Sequence, residues 1–170
     1  MANFLNELEQ CIPSLRRYAY TLFYKQNEAD DLVQDCLERA IRKQALWQEG
    51  TSLQAWLFTM QRNLYINQLK KLGRQPLMIE ETEQLTHNLE PHKSDVLIRD
   101  MDFCMRQLPE DQRQVLLLVS VQGFSYKEVG QVIDTPIGIV MSRLSRARKT
   151  LQLLMNGETT PTQPVLRSVK

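Results

Sequence analysis

The chain has 170 residues and 21 Lys+Arg against 20 Asp+Glu, a formal net charge of +1. Hydrophobic residues make up 42% and charged residues 24%, a balance that fits a folded protein and excludes a wholly disordered chain, a collagen-like one and a membrane bundle. Near-neutrality also excludes a histone-like coat that holds nucleic acid by bulk charge, and it leaves local basic surfaces to be read from the distribution.

Apolar residues recur at helical spacing almost throughout, which predicts an all-α chain of two small helical domains joined by a flexible linker. The first unit covers residues 4–70. Leu5, Leu8, Ile12, Leu15, Ala19 and Leu22 mark an opening helix near Phe4–Tyr24, and Pro13 inside it is expected to kink or split it. An acidic entry at Glu28, Asp30 and Asp31 leads into a face of Leu32, Val33, Cys36, Leu37, Ala40, Ile41 and the later Trp47, stopped by Gly50. Thr51 with Gln54 reads as a capping box for the next helix, whose apolar side runs through Leu53, Trp56, Leu57, Met60, Leu64 and Leu69.

Residues 71–95 break the pattern with Gly73, Pro76, Pro91 and an acidic cluster, and read as a linker between units that fold separately. The second unit covers residues 96–156. Its lead helix is followed by Pro109, Glu110 and Asp111, a helix start in which proline suits the first turn and acids suit the dipole. Gly123 ends that helix, and Ser125 with Glu128 forms a capping box for a short one. A tight break at Asp134–Thr135–Pro136 follows, with Thr135 expected to cap a last helix through Ile137, Val140, Leu144, Ala147 and Leu151. The tail, residues 157–170, is rich in Thr, Pro and Ser and reads as disordered.

No apolar run approaches the roughly 18 residues that a spanning helix needs, and the N-terminal residues lack the pattern of a secretory signal. Three scattered cysteines and two histidines form no CxxC pair or zinc spacing, so free thiols, no metal, no cofactor and a cytoplasmic location are expected. Catalytic signatures are missing too, and an enzyme is not expected.

The sharpest local signal is a helix-turn-helix shape at 125–149, whose second helix carries Arg143, Arg146, Arg148 and Lys149 within seven residues, with Ser142 and Ser145 among them. Arginine forks suit guanine edges or phosphate, and serines suit phosphate. The competing reading is a solvated helix with ordinary surface charge. In the first unit, Gln54, Gln61, Arg62, Asn63, Asn67, Lys70 and Lys71 lie on one helix near an exposed-looking loop with Trp47, a set of amides and cations beside an aromatic that would grip unstacked bases. There the competing reading makes both tryptophans core residues.

Residues 29–74, with Asp30-Asp31-Leu32-Val33-Gln34, Ala55-Trp56-Leu57, Arg62-Asn63 and Lys70-Lys71, resemble region 2 of the extracytoplasmic-function (ECF) RNA polymerase sigma factors. Residues 108–151, with Leu108-Pro109, Arg113, Gly123-Phe124-Ser125-Tyr126, Glu128, Pro136, Gly138, Val140, Ser142-Arg143-Leu144 and Arg146-Ala147-Arg148, resemble region 4 of the same family. The resemblance implies a sigma factor that binds core RNA polymerase and directs promoter-specific initiation. On that basis Asp31, Gln34, Asp35 and Glu38 would face polymerase. Trp47, Arg62, Asn63, Asn67, Lys70 and Lys71 would serve the −10 element. Ser125, Tyr126, Lys127, Ser142, Arg143, Arg146 and Lys149 would serve the −35 element. An anti-sigma factor would be a partner. The sequence departs from the family's usual residues at Gly130, Asp134, Ile139 and Asn67. Two rivals remain at this point: a conventional helix-turn-helix transcriptional regulator, and a sigma-like adaptor that does not act through core polymerase.

Overall fold

The computed structural model describes residues 2–73 and 93–157; most of the expected linker and nearly all of the expected tail lie outside them. Helices are α1 (Ala2–Phe23), α2 (Gln26–Arg42), α3 (Leu53–Lys71), α4 (Lys93–Gln107), α5 (Glu110–Ser120), α6 (Tyr126–Val132) and α7 (Ile137–Met155), with a short 3-10 turn at Gln44–Leu46. No strand occurs among the described residues.

In the first unit α1, α2 and α3 each pack on the other two. Leu15, Tyr18, Leu32, Leu57, Phe58 and Tyr65 are almost fully buried there, and Tyr18 stacks on Phe58 with centroids 4.9 Å apart. α1 is one continuous helix across Pro13, which sits on its exposed side, so the expected split does not occur. α2 also ends earlier than its apolar pattern suggests. Lys43 caps it, and Trp47 belongs to the following loop, where Gly50 turns at φ +88°. The cap of α3 is Ser52, whose hydroxyl accepts from the Ala55 amide at 3.1 Å, and not Thr51, which donates to the Gln48 carbonyl.

Two polar groups are sunk into this bundle. Gln61, read from the sequence as a presented amide, is fully buried and donates to the Leu15 carbonyl at 2.9 Å. The Cys36 thiol faces the Leu57 carbonyl at 3.5 Å, and burial pushes its pKa up to about 12. That cysteine is a core residue with an inert thiol.

The second unit is built on α7, which packs against α4, α5 and α6 through Val140, Leu144 and Ala147. The predicted capping box at α6 is present on both sides: the Ser125 hydroxyl accepts from the Glu128 amide, and the Glu128 carboxylate accepts from the Ser125 amide. Pro109 and Pro136 each stand one residue before the helix they introduce. Thr135 does not cap α7; its hydroxyl donates back to the Ile133 carbonyl at 3.1 Å. Asp134 adopts φ +51°, the left-handed turn conformation that the break requires.

Gly130 has a packing reason. The Thr135 amide donates to the Gly130 carbonyl at 2.9 Å, which folds the turn back over α6. A Cβ at position 130 would lie 2.7 Å from the Thr135 oxygen. Alanine does not fit this turn as it stands.

The two units touch. α3 lies against α6, and Phe58 meets Phe124 edge to face with centroids 5.0 Å apart. Nearby, the Arg106 guanidinium covers the Tyr24 ring at 4.4 Å and donates to the Tyr20 hydroxyl at 3.4 Å.

Candidate nucleic-acid interface

On α7 the buried residues Val140, Leu144 and Ala147 fix one side, so the opposite side faces outward. Ser142, Ser145, Arg146 and Lys149 are exposed there, and Arg148 is exposed at the flank of the buried side. The Ser142 hydroxyl donates to the Ile139 carbonyl at 3.0 Å, one turn back. The helix contains no acidic residue. Arg143 differs from its neighbours. It is half-buried, and its Nε lies 3.5 Å from Asp111 of α5, so it braces the last helix against α5. The sequence spacing of three placed Arg143, Arg146 and Lys149 together, and the fold divides them.

From α6, Tyr126 and Lys127 are exposed, while Ser125 has its hydroxyl committed to the cap. These three residues sit at the N-terminal end of the short helix that precedes the turn, beside the outward helix of a helix-turn-helix.

On α3, Asn63, Asn67, Lys70 and Lys71 are exposed. Asn63, Asn67 and Lys70 continue a stripe begun by the half-buried Trp56 and Met60, four or three residues apart along one face. The sequence reading took Trp56 as core and Trp47 as the base-reading aromatic. Both tryptophans are half-buried and pack against the core: Trp47 meets Phe4 with centroids 5.7 Å apart, and Trp56 shares the α3 face of the amide and lysine stripe.

Arg62 points away from that stripe, toward the second unit. Its Nε donates to the Gln114 side-chain oxygen at 3.3 Å, and Gln114 in turn donates to Glu110 at 2.9 Å. Burial raises the Glu110 carboxyl above its ordinary range, while Arg113, Gln114, Tyr65 and Arg62 pull it the other way. Burial likewise raises the Tyr18 and Tyr65 hydroxyls. Arg62 thus lines a polar seam between units.

On α2, Asp31, Gln34, Asp35 and Glu38 are all exposed and share one face, as their spacing predicts. Gln34 donates to Glu38 at 3.4 Å, and Glu38 pairs with Arg42 at 3.4 Å. The described residues hold no cluster of side chains able to bind a metal, and no helix among them is long and apolar enough to cross a membrane.

Both units match known families in the order that the motifs suggest. Residues 8–61 match the sigma2 domain of PhyR, and residues 98–151 match sigma-70 region 4. The ECF RNA polymerase sigma factor EcfG of Rhodopseudomonas palustris is 34% identical over 151 residues, covering 88% of this chain and 83% of that protein. The chain belongs to the ECF sigma factor family. As an ECF sigma factor it serves promoter-specific transcription initiation, and neither the sigma-like adaptor nor the conventional helix-turn-helix regulator is favoured. Among solved structures, the sigma factor RpoE of Bartonella quintana, crystallised with the anti-sigma factor NepR, is 34% identical with a TM-score of 0.77, covering 94% of this chain and 100% of that one. The sigma-like part of PhyR from Sphingomonas sp. Fr1, in its complex with NepR, shares the fold at 21% identity and a TM-score of 0.67, covering 92% of each chain.

Proposed function

We propose that this sigma factor divides its surfaces between three partners. The acidic face of α2, Asp31, Gln34, Asp35 and Glu38, docks on core RNA polymerase. The α3 stripe, Asn63, Asn67, Lys70 and Lys71 with Trp56 at its head, engages the −10 element. The outward face of α7 reads the −35 element, with Arg146, Lys149 and Ser142 as the principal contacts and Tyr126 and Lys127 of α6 on the flanking phosphates. Arg143 supports α7 by pairing with Asp111, and Arg62 contributes to the seam between units. Trp47 holds the 43–52 loop against α1, so the loop's polar residues are left to meet a displaced base.

The observation that carries this reading is the outward face of α7: exposed cations and serines on a helix without a single acid, set in a helix-turn-helix. Synthesis chemistry belongs to polymerase, and the chain works in the cytoplasm where polymerase is. A NepR-type anti-sigma factor is the partner that the likeness to RpoE suggests, and it would act by holding both units away from DNA and polymerase. Run-off transcription with core polymerase and this chain on a promoter library tests the proposal. Promoter-dependent product that needs Arg146 and Lys149 supports it; no product and no binding to core overturn it.

A further inference from the structure

We propose that the first turns of α7 read thymine methyl groups in the −35 element through Ile139 and Met141, an inference that rests on the −35 reading given above. Ile139 is 44% exposed and Met141 51% exposed, although the same helix buries Val140 between them completely. At 100° per residue, they leave the core direction on opposite sides of Val140. They therefore bracket the outward strip that begins with Gly138 and Ser142. Gly138 is exposed, and a Cβ there would meet nothing within 4 Å. Its lack of a side chain is thus not a packing need of this chain, and it leaves the strip between the two apolar side chains open.

The surroundings choose the occupant. Exposed Arg146, Arg148 and Lys149 follow on the same helix with no acid to balance them, so the surface complements a polyanion and not an apolar protein face. The major groove admits a helix whose N-terminal residues reach base edges. Among those edges the C5-methyl of thymine is the apolar group. Isoleucine and methionine offer no hydrogen bond to a base, so what they contribute there is contact with that methyl.

The test uses holoenzyme reconstituted from core polymerase and the full chain. An upstream element is first selected from a library randomised at the −35 position. Each selected thymine is then replaced by deoxyuridine, which removes the methyl and leaves every hydrogen-bonding group in place. The expected result is at least one position where uracil weakens binding by about four-fold, the ratio a single buried methyl supplies. With Ile139→Ala and Met141→Ala combined, thymine and uracil templates bind equally. Arg146→Ala, by contrast, weakens both templates and keeps their ratio. A selected element with no methyl-sensitive thymine overturns the proposal, as does a uracil penalty that persists in the double variant, which would assign the methyl contact to other side chains. Failure to select any element overturns the sigma reading itself, and is distinguishable because neither template is then bound.

Discussion

Phe58 of α3 and Phe124, in the turn before α6, meet edge to face with ring centroids 5.0 Å apart, and this pair joins the buried core of one unit to that of the other. Both tryptophans, Trp47 and Trp56, lie in the first unit, so fluorescence reports that unit while far-UV circular dichroism reports all helices. In the parent chain the two signals are expected to give coincident urea transitions. Phe124→Ala removes the contact and opens a cavity, at a cost of about 3 kcal/mol or more. The expected outcome is that the circular dichroism transition moves to lower urea and separates from the fluorescence transition.

The ion pair between Arg143 and Asp111 predicts a division of labour on α7. Arg143 is partly exposed, so the pair contributes at most about 1 kcal/mol. Arg143→Ala should lower the thermal midpoint slightly, and Asp111→Ala should lower it by at least as much, because Asp111 also stands in the first turn of α5 and accepts from the Gln112 amide. Arg146→Ala should leave the midpoint unchanged and weaken promoter binding by holoenzyme, with a shallower dependence on salt. Melting curves and binding at two salt concentrations, run on the three variants, check both halves.

Glu110 gives the seam between the units a pH dependence of defined sign. Its folded-state carboxyl is raised above 4.5 by burial, so the folded chain binds that proton more tightly than the unfolded chain. The stabilisation is fully present below 4.5 and is lost as pH rises through the raised folded value. Glu110→Gln keeps an acceptor for Gln114 and removes the titration. The variant is expected to gain stability relative to the parent as pH rises above that window, and urea titrations at pH about 4 and about 7 measure the difference.

The turn between α6 and α7 yields two opposed substitutions. Gly130→Ala improves helix propensity by about 1 kcal/mol but drives a Cβ to 2.7 Å from the Thr135 oxygen. The clash should dominate, with a net loss of about 1–2 kcal/mol. Asp134→Gly relieves a left-handed backbone at φ +51° and should stabilise by about 0.5–1 kcal/mol. Combining them should recover only the Asp134→Gly gain, because the clash with Thr135 remains and the two effects add. Chemical denaturation of the three variants decides it.

Much of this fold was legible in the residues, for reasons that differ by element. The apolar face of α2 from Leu32 to Ala40 and the capping box at Ser125 and Glu128 are local patterns, and both are found in the structure. The break at Asp134–Thr135–Pro136 was readable from its turn residues, and the structure adds that Asp134 turns it at φ +51°. Gln61, Arg143 and Trp47 were not readable, since each is decided by what another helix places beside it. The Leu15 carbonyl takes Gln61, Asp111 takes Arg143 and Phe4 takes Trp47. Thr51 and Ser52 are both good cap residues one position apart, and only backbone geometry selects Ser52. Of the candidate site, Asp31, Gln34, Asp35 and Glu38 of α2, Asn63, Asn67, Lys70 and Lys71 of α3 and Arg146 and Lys149 of α7 are exposed, whereas Gln61 is not.

The acid-free composition of α7 bears on speed as well as on affinity. Arg146, Arg148 and Lys149 project from a chain whose charges otherwise nearly cancel, so the molecule is strongly polar in its field without being strongly charged. Such a dipolar surface turns the second unit toward a polyanion before any contact forms, and the effect fades once the ionic atmosphere is thinner than the approach distance, about 8 Å at physiological salt. Orientation during encounter, and the loss of that guidance when ionic strength rises, follow from the placement of three side chains on one helix.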